Sequence, residues 1–383
     1  MDTLGLYFHI PFCKGKCPYC DFYSVTDKSL FEPYKDALCD EIRTKSRCKS
    51  LLADDIQNRP VDTVYFGGGT PSYWGADNVC AVLQTAKTHF AIAKDAEITV
   101  ECNPSSPDLE AFLSHCAENG VNRVSLGMQS AVDSERKGLG RTADAAKVLC
   151  AVHAAKKAGI HNISLDLMIG IPNQTKESLQ ESLQFLIATG VPHASVYMLS
   201  IEEGTFFHKN AHRLNLPDDD TTAQFYLQTV DFLNRNGLSQ YEISNFARPG
   251  FESRHNSRYW EQEEYLGFGA AAHSFVNGKR FAFSRSVSDF LQKKEPQLLD
   301  CGGDNAEYVL LQLRMNKGLS YVRYRQKFGK DLAQSVLLRA EKYAKHGLLI
   351  TDKDGLRLTA DGFLVSNTIL CDLLDALDDE ETI

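Results

Sequence analysis

Cys13, Cys17 and Cys20 stand in the spacing C-x3-C-x2-C. No other group in the chain is so clearly arranged to hold a metal centre. A loop this tight brings its sulfurs together at little cost in chain entropy. Structural zinc requires a fourth ligand, and the next cysteine, Cys39, lies well beyond the loop. A 4Fe–4S cluster on three thiolates leaves one iron open to an exchangeable ligand, which is chemistry rather than scaffolding. The bland alternatives are a zinc knuckle completed by Asp21 or a distant residue, and unrelated thiols.

Further polar residues stand where apolar runs stop. Gly67-Gly68-Gly69-Thr70-Pro71 follows Val61–Phe66, and glycines there let a ligand reach the backbone. Glu101 ends the run from Glu97, as either a satisfied loop carboxylate or a ligand for amino or hydroxyl groups. Gln129 ends the next run. Arg141 follows in Gly140-Arg141-Thr142, where a guanidinium suits a carboxylate and Thr142 is placed to cap a helix. Asp166 is a charge inside the apolar run Leu165–Pro172, so it needs a buried partner or a ligand. Farther on, Arg254-His255-Asn256-Ser257-Arg258-Tyr259-Trp260 sets an imidazole among ring faces and arginines. That is a haem-ligating combination or ordinary packing. His273 is a second imidazole.

The elements that must carry these residues alternate. Strands are expected near Leu4, Val61, Glu97, Arg123, Asn162 and His193, with helices between them. A weak repeat, Gly120–Leu126, Gly159–Leu165 and Gly190–Val196, puts a helix-ending glycine before a strand each time. Such alternation means parallel βαβ units. A doubly wound sheet and a partial barrel fit equally, since both gather their sites at the C-terminal strand ends.

The cysteine loop preceded by Tyr7-Phe8-His9-Ile10-Pro11-Phe12 resembles the radical S-adenosylmethionine (SAM) enzymes, in the branch of oxygen-independent coproporphyrinogen III dehydrogenase. Within that branch the chain is most similar to the haem chaperones of the HemW type. The resemblance implies an open (β/α)6 partial TIM barrel with a small C-terminal α/β winged-helix-like domain. It divides the chain into a barrel (1–240), a haem-motif region and linker (241–300) and a C-terminal domain (301–383). It implies a 4Fe–4S cluster on Cys13, Cys17 and Cys20, with SAM chelating the open iron. Tyr7, Tyr19, Gly68, Gly69, Thr70, Glu101, Gln129, Arg141 and Asp166 would contact SAM, with Tyr19 over the adenine. His255, Tyr259 and Trp260, in the family's H-N-x-x-Y-W pattern, would bind haem. Being outside the strand-end motifs, His255 is expected to be separable from SAM binding. The implied partners are haem, a haem-acceptor protein and an electron donor such as flavodoxin or ferredoxin.

Two departures weigh against the rival enzymatic reading, oxidative decarboxylation of coproporphyrinogen III. Phe22 stands where the dehydrogenases carry a further cysteine, and the chain begins almost at the cluster motif.

Composition narrows the rest. The net charge of −9 offers no basic excess for nucleic acid. No apolar run approaches the roughly 18 residues of a membrane span, so a membrane is met at most through an acceptor. Without a charged leader or cleavage site at the start, the expected location is the cytoplasm. The acidic run Asp372–Glu381 is expected as a frayed tail.

If three thiolates hold the cluster, replacing Cys13, Cys17 or Cys20 by Ala abolishes the iron–sulfur absorption of anaerobically purified protein. Cys39→Ala and Cys102→Ala leave it intact. Equal loss from Cys39→Ala would overturn the three-ligand set.

Overall fold

The computed structural model describes residues 3–381 apart from 46, 49–50 and 53–55, with side chains described to 377. Its first half follows the expected alternation. Strands β1 (Leu4–Ile10), β2 (Pro60–Gly68), β3 (Ala91–Cys102), β4 (Arg123–Gln129), β5 (Asn162–Ile169) and β6 (His193–Met198) lie side by side in chain order. Each neighbouring pair is parallel. A doubly wound sheet reverses direction part-way, and this order never reverses, so the winding is that of a barrel. It stays open: β1 pairs on its other side with the strand Tyr265–Phe268 and β6 with the strand Asn245–Ala247, not with each other.

The intervening helices, among them Phe31–Thr44, Ala76–His89, Ala145–Lys157 and Lys176–Ala188, cover the outer face. The repeat glycines Gly120, Gly159 and Gly190 all have positive φ (97°, 85° and 67°) just past a helix end. A side chain would be strained there. The helix after Arg141 is capped by Asp144, which accepts from the Lys147 amide, and not by Thr142. Asp144 is the residue adjoining the first turn, the position whose side chain reaches the free amides.

Strand alternation sorts the side chains. Leu6, Phe8, Val64, Phe66, Val100, Val124 and Leu165 point outward into the apolar layer under the helices, where all are buried. Phe8 stacks between Phe66 and Phe268 at 4.9 and 5.5 Å. Tyr7, Tyr65, Glu101, Ser125, Asp166 and Tyr197 take the opposite, inward parity.

The stretch 241–300, expected to hold the haem motif and a linker, adds strands to the sheet. After β7 (Ser239–Gln240) come β8 (Asn245–Ala247), β9 (Tyr265–Phe268), β10 (His273–Val276), β11 (Lys279–Ala282) and β12 (Gln297–Cys301). The order is β12-β11-β10-β9-β1-β2-β3-β4-β5-β6-β8-β7. The helix Arg254–Trp260 lies before β9, capped by Ser253.

The C-terminal part packs helices, including Gln334–Lys345 and Ser366–Glu381, with a small antiparallel sheet. That sheet holds β13 (Leu319–Ser320), β14 (Leu349–Thr351) and β15 (Gly355–Leu358) in the order β13-β15-β14. The acidic run is therefore not a frayed tail but the body of the last helix. Ile369, Leu370, Leu373, Ala376 and Leu377 recur at helical spacing and are all buried. Asp372 and Asp375 occupy intervening positions. No helix among the described residues is long and apolar enough to cross a membrane.

Leu373→Ala lowers unfolding stability by about 2–5 kcal/mol, the usual cost of a cavity at a fully buried leucine, measured by urea denaturation. A loss below about 1 kcal/mol would mean that this helix is not anchored through Leu373.

Candidate metal and cofactor site

The cysteine loop leaves the C-terminal end of β1 and is stitched to the glycine loop that leaves β2. Gly69 and Thr70 donate their amides to the Ile10 and Phe12 carbonyls at 2.9 and 2.8 Å. A Cβ on Gly69 would lie 2.6–2.8 Å from Ile10 O, Phe12 N and Phe12 O. Those are backbone atoms that cannot give way, so the seam requires glycine. On the far side, Val25 donates to Pro11 O and Cys13 to Val25 O, closing the loop upon itself.

Cys13, Cys17 and Cys20 are part-exposed free thiols on this loop. The Thr70 hydroxyl lies 3.4 Å from Cys13 Sγ, and Arg141 Nη1 lies 3.8 Å from Cys17 Sγ. Burial pushes the Cys20 thiol up, and the neighbouring Cys17 and Cys13 add to the effect. Crowded thiolates of this kind are stabilised by a metal centre, as these donor groups suggest. Zinc fits less well. It needs four ligands around one point, and the loop supplies three cysteines. In a cubane each thiolate binds its own iron, so separated sulfurs suit it.

Behind the loop lies the inward face of the sheet. Glu101 accepts from Tyr65 Oη at 2.8 Å and from the Gly68 amide at 3.1 Å. Burial lifts its pKa to about 7, with Asp166 adding to the rise and the Tyr65 and Gly68 bonds opposing it. Asp166 accepts from Ser125 Oγ at 2.8 Å. Burial raises it to about 6 against that bond and the Arg123 charge. Arg141 donates to Gly127 O at 2.7 Å. A Cβ on Gly127 would meet Arg141 Nη2 at 2.4 Å and Gln129 Nε2 at 3.1 Å, so these side chains converge over one strand end. Gln129 takes a positive φ of 67°, where β4 and β5 lose register. Strained backbone of this kind collects at functional sites.

Tyr19 packs in a small apolar group with Leu139, Met168, Ile171 and Phe207. Phe207 also donates its amide to Pro18 O at 2.9 Å. Tyr7 hydrogen-bonds His9 Nδ1 at 3.1 Å. The structure thus gathers Tyr7, Tyr19, Gly68, Gly69, Thr70, Glu101, Gln129, Arg141 and Asp166 around one end of the barrel. Carboxyls, a guanidinium, open backbone and aromatic faces meet there, the groups that hold a zwitterionic amino acid and a nucleoside.

Two residues escaped the sequence reading. Arg123, 2% exposed, is the buried cation beneath Glu101 and Asp166. Its signal was available: a charge on the inward parity of an apolar strand. Tyr197 lies on the inward parity of β6 beside Asp166 and Glu101, yet is 43% exposed.

The residues expected to bind haem lie at the other end of the barrel. His255 is 1% exposed, with Nδ1 2.9 Å from Thr63 Oγ1 and Nε2 2.8 Å from Tyr259 Oη. Neither ring nitrogen is free, and burial pushes the imidazole down to about 3. The Tyr259 ring is held edge-on to Tyr265 at 4.6 Å, and Trp260 is only half-buried. Nor is His255 remote from the other site, since its ring stacks on Tyr65 at 5.1 Å. The helix Arg254–Trp260 plugs the N-terminal end of the barrel, because Glu97 accepts both the Arg254 and His255 amides at 3.0 Å. A groove of about 620 Å³ beside the helix carries Asp62, Asp95, Glu97, Glu252, Glu261 and Glu263 against Arg254 and Arg258. That acidic balance disfavours a dianionic porphyrin. His273, by contrast, is exposed at the start of β10.

The sequence of residues 7–186 matches the Radical SAM superfamily model, and residues 306–365 match the HemN C-terminal domain. A haem chaperone HemW of Lactococcus lactis is 32% identical, covering 95% of each chain. The same-named protein of Mycobacterium tuberculosis is 33% identical, covering 97% of this chain and 95% of its own. The chain belongs to the HemW family. A mitochondrial radical S-adenosyl methionine domain-containing protein 1 of Mus musculus is 33% identical over 97% of this chain and 88% of its own. The HemW fold is shared with coproporphyrinogen III oxidase (HemN) of Escherichia coli, at a TM-score of 0.82 and 23% identity over 97% of this chain and 90% of that one. As expected of a radical SAM protein of the HemW family, the chain presents a three-cysteine loop at the mouth of a partial barrel. Membership in that superfamily supports SAM and an iron–sulfur cluster as its cofactors.

The raised Asp166 carboxyl has a consequence for stability. Its folded-state pKa lies above the ordinary 3.8, so the fold holds its proton more tightly than the unfolded chain does. The stability this lends is complete below about 4 and disappears as pH rises to about 6. In protein free of SAM, Asp166→Asn keeps the acceptor for Ser125 but cannot ionise. Its melting temperature therefore gains on the wild type across that window and holds the gain above it. A difference that is flat or falls over the same range would overturn the assignment.

Proposed function

We propose that the chain is a cytoplasmic haem chaperone that carries a 4Fe–4S cluster and SAM and passes haem to an acceptor protein. Near-full-length similarity to bacterial proteins of that name carries the reading. In it Cys13, Cys17 and Cys20 hold the cluster, whose open iron accepts the amino and carboxylate groups of SAM. Arg141 and Gln129 face the carboxylate, Glu101 and the Gly68–Thr70 backbone the amino group, Asp166 the ribose, Tyr19 the adenine, with Tyr7 lining the cavity. When bound, the cluster supplies one-electron chemistry from a flavodoxin- or ferredoxin-like donor.

Haem ligation by His255, with Tyr259 and Trp260 beside it, requires the helix Arg254–Trp260 to leave the barrel floor, because both ring nitrogens are engaged. The exposed His273 requires no such movement, so it is the competing ligand. The second reading, porphyrinogen decarboxylation, draws on the shared HemN fold alone. The exposed Phe22 argues against it, standing where those enzymes carry a cysteine.

Titrating cluster-loaded protein with haem, and assaying the same sample for coproporphyrinogen III conversion, separates the two readings. Stoichiometric haem binding without conversion is expected. Conversion without haem binding would establish the enzyme instead. In the same preparation Arg141→Ala weakens SAM by roughly ten- to a hundredfold, the loss of one charged hydrogen-bonded pair, with the cluster retained. An unchanged SAM affinity would return Arg141 to a structural role.

A further inference from the structure

The imidazole of His255 makes no hydrogen bond to the cofactor-facing loops, yet both of its ring nitrogens are engaged below them. Its ring lies nearly parallel to those of Tyr65 and Tyr7, at 25° to each, with centroids 5.1 and 6.3 Å away. Tyr7 and Tyr65 are themselves stacked at 6.1 Å. Thr63 and Tyr259 fix both ring nitrogens, and Glu97 fixes the backbone amide at 3.0 Å. A ring held at both nitrogens, on a backbone that is itself anchored, is a rigid support.

What rests on it leads to both cofactor loops. The Tyr65 hydroxyl donates to Glu101 Oε1, and Glu101 Oε2 accepts from Gly68 in the glycine loop. The Tyr7 hydroxyl bonds His9 Nδ1, and His9 Nε2 bonds the carbonyl of Tyr23, just past the last cysteine. One arm therefore ends on the loop of Gly68–Thr70 and the other on the loop of Cys13–Cys20. Stacked aromatic pairs are worth about 0.5–1.5 kcal/mol beyond the area they bury, enough to hold one hydroxyl orientation against its alternatives.

We propose that His255 is a positioning residue for the cofactor cavity, holding Tyr65 and Tyr7 so that the Glu101 carboxyl and the two loops keep their geometry. The inference rests on the reading that this cavity takes SAM. It assigns the H-N-x-x-Y-W helix a second role, independent of any contact with iron. The imidazole stays neutral across ordinary pH, since burial and then Arg258 and Arg123 hold its pKa low. The support therefore does not switch with pH.

The test uses anaerobically purified, cluster-loaded protein and two readouts. One is the SAM dissociation constant. The other, taken without SAM, is the protonation midpoint of the Glu101 carboxyl by infrared difference spectroscopy, in wild type near the value of about 7 that burial gives it. The Tyr65 bond draws that midpoint down, so losing it moves the midpoint up. His255→Ala is expected to raise the Glu101 midpoint and to weaken SAM about tenfold, roughly 1.4 kcal/mol. His255→Phe, which keeps the ring face, recovers most of both. Asn256→Ala, on the same helix but not in the stack, changes neither. Tyr65→Phe reproduces the midpoint shift and covers the case in which His255→Ala does not fold.

An unmoved midpoint and affinity in His255→Ala would overturn the proposal, as would equal losses in Asn256→Ala. If wild type binds no SAM while the midpoint still shifts in His255→Ala, the SAM reading fails and the positioning of Glu101 stands.

Discussion

Two backbone hydrogen bonds, Gly69 to Ile10 and Thr70 to Phe12, join the loops that leave the first and second strands. They continue the β1–β2 register, in which Ile10 lies opposite Gly68, past the end of the sheet. The cysteines inherit their placement from this seam: Cys13 follows Phe12 directly, and Thr70 turns its hydroxyl to Cys13 Sγ. A parallel pair is held by evenly spaced, slanted hydrogen bonds between its strands. Here the pairing also aligns the cysteine loop with the glycine loop, which explains why a residue as small as Gly69 matters at a position without a positive φ.

Beneath the seam the barrel interior is polar rather than filled with branched aliphatics. Glu97, Arg123, Glu101 and Asp166 form a column of charge from floor to mouth, with serines and tyrosines between them. Arg123 is the cation that the surrounding carboxyls share. The interior is tolerable because its polar groups are paired: Ser125 donates to Asp166, Tyr65 donates to Glu101, and Ser164 Oγ lies 2.8 Å from His193 Nδ1. Buried polar groups left without such partners are costly, so the interior and the outer apolar layer cannot exchange side chains even where their volumes match.

Much of this was legible in sequence. The six parallel strands carry clean runs of β-branched and aromatic residues, and glycines punctuate the repeat at Gly120, Gly159 and Gly190. The polar residues at the strand ends stood out because each interrupts an apolar run, as Asp166 does. The second half was less readable for physical reasons. Strands β9, β10 and β11 are four residues long, too short for alternation to register. The pairing that fixes β9, Tyr7 with Gly267, spans most of the chain, so no local signal reports it. The surroundings of His255 were hidden in the same way, since Thr63, Tyr65 and Glu97 meet it only through the fold. The acidic last helix was misread because its charges are conspicuous while its apolar stripe is regular and quiet.

An open barrel also has free edges, and the strand farthest from β7 shows what that entails. All five residues of β12 are exposed. With β11 on one side only, its other backbone edge is a template for a foreign strand. Leu298 and Leu299, 53% and 49% exposed, make that edge adhesive on both faces. Pro296 removes a donor just before the strand, Asp300 puts a charge within it, and Gly302-Gly303 ends it. Those are the means by which sheet proteins discourage edge-to-edge aggregation. The open mouth of the barrel and the edge that aggregation would attack arise from the same missing closure.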